Sequence, residues 1–175
     1  LLNGNSFRLG VSGSGKSFSA KEEIVDLALS TEDDILILDP ESEFGSLVEA
    51  LNGEVISISA TSHTHLNALD MDSAYGNDKN PLIEKSEFIL SLFEQLVGAG
   101  NLSAKEKSIL DRCTADVYRE YIRSGYKSEV PTLKDLYRQL MLQPEEEARG
   151  LALSSELFIN GSLNTFAQKT NVNTK

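Results

Sequence analysis

Gly10-Val11-Ser12-Gly13-Ser14-Gly15-Lys16-Ser17 follows G-x-x-x-x-G-K-[ST] at every required position. Each residue type in it answers to a phosphate group. Glycines reach backbone conformations closed to other residues, so the N–H groups of Ser12, Gly13, Ser14, Gly15, Lys16 and Ser17 can turn inward around a β-phosphate, with Phe18 completing the first turn beyond them. The start of the helix that should follow adds partial positive charge. Lys16 carries an ammonium to the β- and γ-phosphates, and the Ser17 hydroxyl is a ligand for Mg²⁺. ATP and Mg²⁺ are the expected cofactors. A dinucleotide site fits less well. Gly13-Ser14-Gly15 begins G-x-G-x-x-G and Asp39 sits near the ribose-binding position, but Phe18 stands where the third glycine belongs and Lys16-Ser17 would have no role.

A second constellation is Asp39-Pro40-Glu41-Ser42-Glu43-Phe44, three carboxylates at the end of the apolar run Ile35–Leu38. Three readings stand. Next to the γ-phosphate, Asp39, Glu41 or Glu43 would be catalytic, positioning or deprotonating the attacking water. As a Walker B segment, Asp39 would close an apolar strand, although Pro40 occupies the place where a catalytic Glu often stands. In the plainest reading Asp39 starts a turn with Pro40, and Glu41 and Glu43 belong to a helix's first turn. No later apolar run ends in Asp-Glu, so a Walker B is expected outside this chain.

The elements that must position these residues read as α/β. Phe7-Arg8-Leu9 alternates into the Gly-rich turn. Ala20, Ile24, Leu27 and Ala28 then share one helical face. Ile35–Leu38 is short and apolar throughout, as in a strand buried on both faces of a parallel sheet. Glu43 to Leu51 is amphipathic, and Val55–Ile58 reads as a third strand. Strand, helix, strand, helix, strand predicts a P-loop, RecA-like parallel-sheet core, here truncated. After about residue 80 the pattern becomes helical. Phe88, Leu92 and Leu96 lie beside a second face of Ile89, Phe93 and Val97. Ser103 and Glu106 have capping-box form, with Ile109, Leu110, Cys113, Val117 and Tyr121 continuing at helical spacing. Thr132 caps a helix carrying Leu133, Leu136, Tyr137 and Leu140, and Pro144 followed by Glu145–Glu147 opens another, with Gly161 as its stop. The predicted organisation is an α/β core over 1–75, a mostly α-helical insertion over 76–160, and a return segment over 161–175 toward the rest of the core.

The 175 residues suffice for one domain with an insertion, and a formal charge of −11 argues against direct nucleic-acid binding by this acidic segment. Gly, Asn, Asp and Pro cluster at Tyr75–Pro81, where irregular structure is expected. One cysteine excludes an internal disulfide. No apolar run approaches the roughly 20 residues of a bilayer span, and no secretion signal is present. The chain opens on Leu1-Leu2-Asn3 without Met and stops at Asn173-Thr174-Lys175, and so reads as part of a longer protein.

Residues 10–18 followed by Ile37-Leu38-Asp39-Pro40-Glu41-Ser42-Glu43-Phe44 resemble the conjugative-transfer ATPases of type IV secretion systems, the VirB-four, TraC and TraE kind in the FtsK–HerA superfamily. Gly53–Ser59, Leu66-Asn67-Ala68-Leu69-Asp70-Met71, Leu102–Arg112 and Thr165-Phe166-Ala167 continue the likeness, with Ala68 where members often have Pro. The resemblance implies a RecA-like core with a helical insertion and ATP hydrolysis that powers conjugative DNA transfer or type IV secretion. It implies Lys16 and Ser17 at phosphate and Mg²⁺, with Asp39, Glu41 and Glu43 beside them. Its partners would be further subunits of a homo-oligomer, commonly a hexamer, and secretion-channel proteins, in the cytoplasm at the inner face of the membrane and attached to it only through those partners. The family's later motifs have no counterpart here, so the chain alone is expected to bind nucleotide with little turnover.

The remaining polar features have plain readings. His63-Thr64-His65 is a solvated loop, Cys113 a packed small hydrophobe, Glu145–Glu147 a solvated helix start, and Arg112, Arg119 and Arg123 a solvated face. A small metabolite kinase is the alternative enzyme, although only six arginines are available to form a phosphate-enclosing lid. A non-catalytic nucleotide-dependent interaction module is the third reading.

Overall fold

The computed structural model describes residues 5–59, 61–76 and 80–172. The opening Leu1-Leu2-Asn3, the Asn77–Lys79 part of the Tyr75–Pro81 cluster and the closing Asn173-Thr174-Lys175 lie outside the described residues. The chain divides into two units, Leu1–Ile56 and Ser57–Lys175.

In the first unit, helix α1 (Lys16–Ser30) leaves the Gly-rich turn and α2 (Gly45–Ala50) follows the acidic segment. Ala20, Ile24 and Ala28 are half-buried along α1, while Leu27 and Leu29 stay exposed. α1 stops at Thr31, whose N–H and hydroxyl both donate to the Leu27 carbonyl, at 3.0 and 2.9 Å.

The expected parallel sheet is not there. Among the described residues none lies in a β-strand. Phe7–Leu9, Ile35–Leu38 and Val55–Ile58 run irregularly, and none of them takes part in a backbone ladder. Phe7 and Leu9, at 86% and 84% exposure, and Leu36 and Leu38, at 89% and 88%, meet solvent instead of a core. The physical reason is that a short apolar run specifies burial, whereas a strand also needs a neighbour to pair its N–H and C=O groups. The α/β core is therefore corrected: the described regular structure is helical throughout.

The second unit holds the core. Helix α3 (Pro81–Val97) starts with Pro81 behind Asn80, whose side-chain carbonyl accepts from Leu82 N–H. Helix α4 (Ala104–Arg123) begins at a full capping box, and helix α5 (Leu133–Met141) at a second one formed by Thr132 and Asp135. Helix α6 (Glu146–Ile159) and a 3₁₀ turn, Asn164–Ala167, complete it. Ile89 and Phe93 from α3, Leu110, Cys113 and Tyr118 from α4, Leu136 and Leu140 from α5 and Leu151 and Ile159 from α6 meet in one buried cluster. Replacing Ser103 by Ala removes the acceptor for Glu106 N–H and should cost about 1 kcal/mol in urea unfolding.

The stretch Leu66–Met71 is irregular yet tightly held. Its carbonyls accept from buried side chains: Ala68 from Lys85 Nζ at 3.3 Å, Leu69 from the Tyr118 hydroxyl at 2.5 Å and Met71 from the Tyr121 hydroxyl at 2.7 Å. Asn67 Nδ2 donates to Pro131 O at 2.9 Å, and Leu66 and Ala68 N–H donate to the carbonyls of Thr165 and Phe166. Lys85 is only 3% exposed, its ammonium 4.0 Å from the Tyr75 ring centroid and 4.8 Å from that of Phe88. Burial pushes its pKa down to about 8, partly offset by the Asp70 carboxylate. Between that value and the ordinary 10.5 the unfolded chain binds more protons than the folded one, so stability rises with pH. From pH 8 to 9.5 the gain should be about 1.5 kcal/mol in urea unfolding followed by circular dichroism. Lys85→Met should flatten that rise.

Candidate functional site

The loop of the first unit is shaped by two kinds of glycine. Gly13 and Gly15 adopt φ of 76° and 84°, the left-handed region that side chains disfavour. Gly10 leaves room for its neighbours: a Cβ there would stand 2.3 Å from Ser14 Oγ and 3.3 Å from Lys16 Cγ, so the Ser14 hydroxyl would have to turn away. The Lys16 ammonium donates to the Gly10 carbonyl at 2.6 Å and to the Val11 carbonyl at 2.9 Å, closing the loop over the first turn of α1. Arg8, just before the loop, is ion-paired with Glu23 on α1.

Backbone donors complete the picture. Ser14 N–H is used within the loop, donating to Val11 O at 3.2 Å. Those of Ser12, Gly13, Gly15, Lys16, Ser17 and Phe18 donate to no protein acceptor among the described residues. The last four stand at the N-terminus of α1, where no intrahelical partner exists. A run of free N–H groups at a helix start, with an ammonium in the same loop, suits a polyphosphate. The half-buried Ser17 hydroxyl carries no protein hydrogen bond, which fits a Mg²⁺ held mainly by phosphate oxygens and water. When bound, Mg²⁺ supplies positive charge to the phosphate oxygens.

The acidic segment is folded on itself. Asp39 Oδ2 accepts from Phe44 N–H at 2.8 Å and its carbonyl from Ser42 N–H at 3.4 Å. The Phe44 N–H bond holds the Asp39 carboxyl below its ordinary pKa, so it is an anion across the neutral range. Glu41 and Glu43 are exposed. Among the described residues no hydrogen bond or ion pair joins these acids to Gly10–Phe18, so the structure brings the loop residues together and leaves the acids in a turn of their own. The nearest tie is Lys21 of α1, whose ammonium lies 5.4 Å from the Phe44 ring centroid. Neither Lys21 nor Arg8 carries a sequence signal, because both contacts depend on how the chain turns back.

The other polar residues have structural partners. Asn171 bonds the backbones of His63 and His65, and no cluster able to hold a metal occurs among the described residues. Arg112 pairs with Glu145 at 2.8 Å, lowering that carboxyl's pKa, while Arg119 pairs with Asp116 and Arg123 with Glu120. Burial raises the Cys113 thiol to about 11, which makes it a poor nucleophile.

Residues 9–174 match the family described as the central domain of helicase HerA. The chain belongs to the HerA central-domain family. The superfamily resemblance carried by residues 10–18 and 37–44 is thereby confirmed. Among solved structures, VirB4 of Thermoanaerobacter pseudethanolicus is similar in fold, with a TM-score of 0.72 and 24% identity over 95% of this HerA-family chain. The chain spans 46% of that structure's length. No curated protein matches it. Among the described residues no helix is long and apolar enough to cross a membrane.

Proposed function

We propose that this chain is the ATP-binding portion of a motor ATPase that powers conjugative DNA transfer or type IV secretion. The observation that carries the nucleotide site is the Gly10–Ser17 loop, where free N–H groups and the Lys16 ammonium converge at the start of α1. Lys16 and the N–H groups of Ser12, Gly13, Gly15, Ser17 and Phe18 take the phosphates, Ser14 shapes the loop, and Ser17 ligates Mg²⁺. Membership of the HerA family supports the motor reading, and the fold likeness to VirB4 supports secretion as its setting. Asp39, Glu41 and Glu43 are the acids proposed to act on the attacking water once the rest of the parent protein closes around the nucleotide. The parent is proposed to be a cytoplasmic homo-oligomer working against secretion-channel proteins at the inner membrane face.

Phosphate release from Mg-ATP tests the reading. The chain alone should bind ATP with negligible turnover, and the parent protein should hydrolyse it in a manner lost with Lys16→Ala. Transfer of the γ-phosphate to a small-molecule acceptor would instead make it a metabolite kinase.

A further inference from the structure

Residues 168–171 are held differently from the 3₁₀ turn that precedes them. Thr165 and Ala167 of that turn are buried, and the carbonyls of Thr165 and Phe166 accept from Leu66 N–H at 3.3 Å and Ala68 N–H at 3.2 Å. Beyond Ala167 none of residues 168–171 is buried. Asn171 N–H to the His65 carbonyl, at 3.2 Å, is the one backbone–backbone bond that residues 168–171 make among the described residues.

Side chains fasten the segment instead. Asn171 Oδ1 accepts from His65 N–H at 2.8 Å, and its Nδ2 donates to the His63 carbonyl at 2.7 Å. The Thr170 hydroxyl accepts from Asn67 N–H at 2.8 Å and donates to Asp70 Oδ2 at 2.5 Å. Lys169 pairs with Glu129 at 2.7 Å, but both side chains are largely exposed, so this ion pair adds little. The backbone donors of 65–68 therefore alternate. His65 and Asn67 go to side chains of the segment, whereas Leu66 and Ala68 go to the buried turn. Hydrogen bonds near the surface, with little apolar burial behind them, open locally without unfolding the core. Ala167, Gln168 and Lys169 also line an open cleft of about 810 Å³, whose lining continues with Asp135, Arg138 and Gln139 of α5.

We propose that residues 168–171 are a strap that lifts and reseats as one unit, widening this cleft, while the Asn164–Ala167 turn and the helices stay in place. The break lies between Ala167 and Gln168, where burial ends. Lifting frees the N–H groups of His65 and Asn67 together and leaves those of Leu66 and Ala68 bonded. The strap belongs wholly to the second unit and does not depend on the nucleotide site.

Hydrogen exchange of backbone amides in the isotopically labelled 175-residue chain tests it. His65, Asn67 and Asn171 should share one protection factor, at least about tenfold below those of Leu66 and Ala68 and unchanged by low urea. Asn171→Ala should speed exchange at both His65 and Asn67 at least about tenfold, with Leu66, Ala68 and the α4 amides of Cys113 and Tyr118 unmoved. Asn67 is the telling position, because its own acceptor, the Thr170 hydroxyl, survives that substitution. Asn171 is exposed, so its truncation leaves the helical core intact. Thr170→Val should act reciprocally on His65. Acceleration confined to the amide that lost its acceptor, or spread equally over Leu66 and Ala68, would overturn the strap.

Discussion

Lys16→Ala is expected to lower the affinity for Mg-ADP and Mg-ATP at least about 100-fold in calorimetric titration. The Lys16 ammonium is the one cation that the loop brings inside its own turn, held by the Gly10 and Val11 carbonyls. Those two bonds hold its charge at the loop, at the start of α1. A charge-assisted hydrogen bond contributes about 1.5–3 kcal/mol, and loss of two from Lys16 to phosphate oxygens corresponds to about two decades or more of affinity. The substitution also releases the two carbonyls and so loosens the loop. Lys16→Arg should recover only part of the loss, because a planar guanidinium cannot stand in for a compact ammonium among closely spaced carbonyls.

Phe93→Ala should destabilise the second unit by about 3–5 kcal/mol. Phe93 is 1% exposed in the cluster shared by α3 to α6, so truncation leaves a cavity that the surrounding helices fill only partly. Set against a typical domain stability of about 5–15 kcal/mol, the loss is large. Leu153→Ala on α6, where the side chain is 56% exposed, should change stability by less than about 0.5 kcal/mol. All five tyrosines lie beyond residue 56 and the chain has no tryptophan, so tyrosine fluorescence in urea reports this unit without interference from the first.

What was legible in the sequence was local. The helices around Phe93, Leu110 and Leu136 announce themselves by apolar residues three and four apart, Ser103/Glu106 and Thr132 mark two of their starts, and Pro144 with Glu145–Glu147 marks that of α6, because capping is decided within one turn of backbone. The Gly10–Ser17 loop is equally local: its glycines and lysine act on one another within seven residues. The sheet was misread for the opposite reason. Ile35–Leu38 has the composition of a buried strand, but pairing is a property of two segments, and its exposure here could not be read from one.

The hold on Leu66–Met71 was invisible on the same grounds. Tyr118 reaches Leu69 across 49 positions and Asn171 reaches His63 across 108, and no periodicity encodes such contacts. Lys85 gave no warning either, since a lysine on a helix reads as solvated until its neighbours, here Tyr75 and Phe88, are known to enclose it. In the acidic segment, Asp39 can start a turn and still be an anion available for chemistry. Its bond to Phe44 N–H is common to both readings, which is why sequence left them side by side.

The central claim is that polyphosphate binds at Gly10–Ser17, and backbone amide shifts on addition of Mg-ADP to the isotopically labelled chain test it most directly. The account predicts saturable shifts at Gly13, Gly15, Lys16, Ser17 and Phe18, with amides around Cys113 and Tyr118 unmoved. Shifts that leave the loop untouched, or that gather instead around Cys113 and Tyr118, would contradict it.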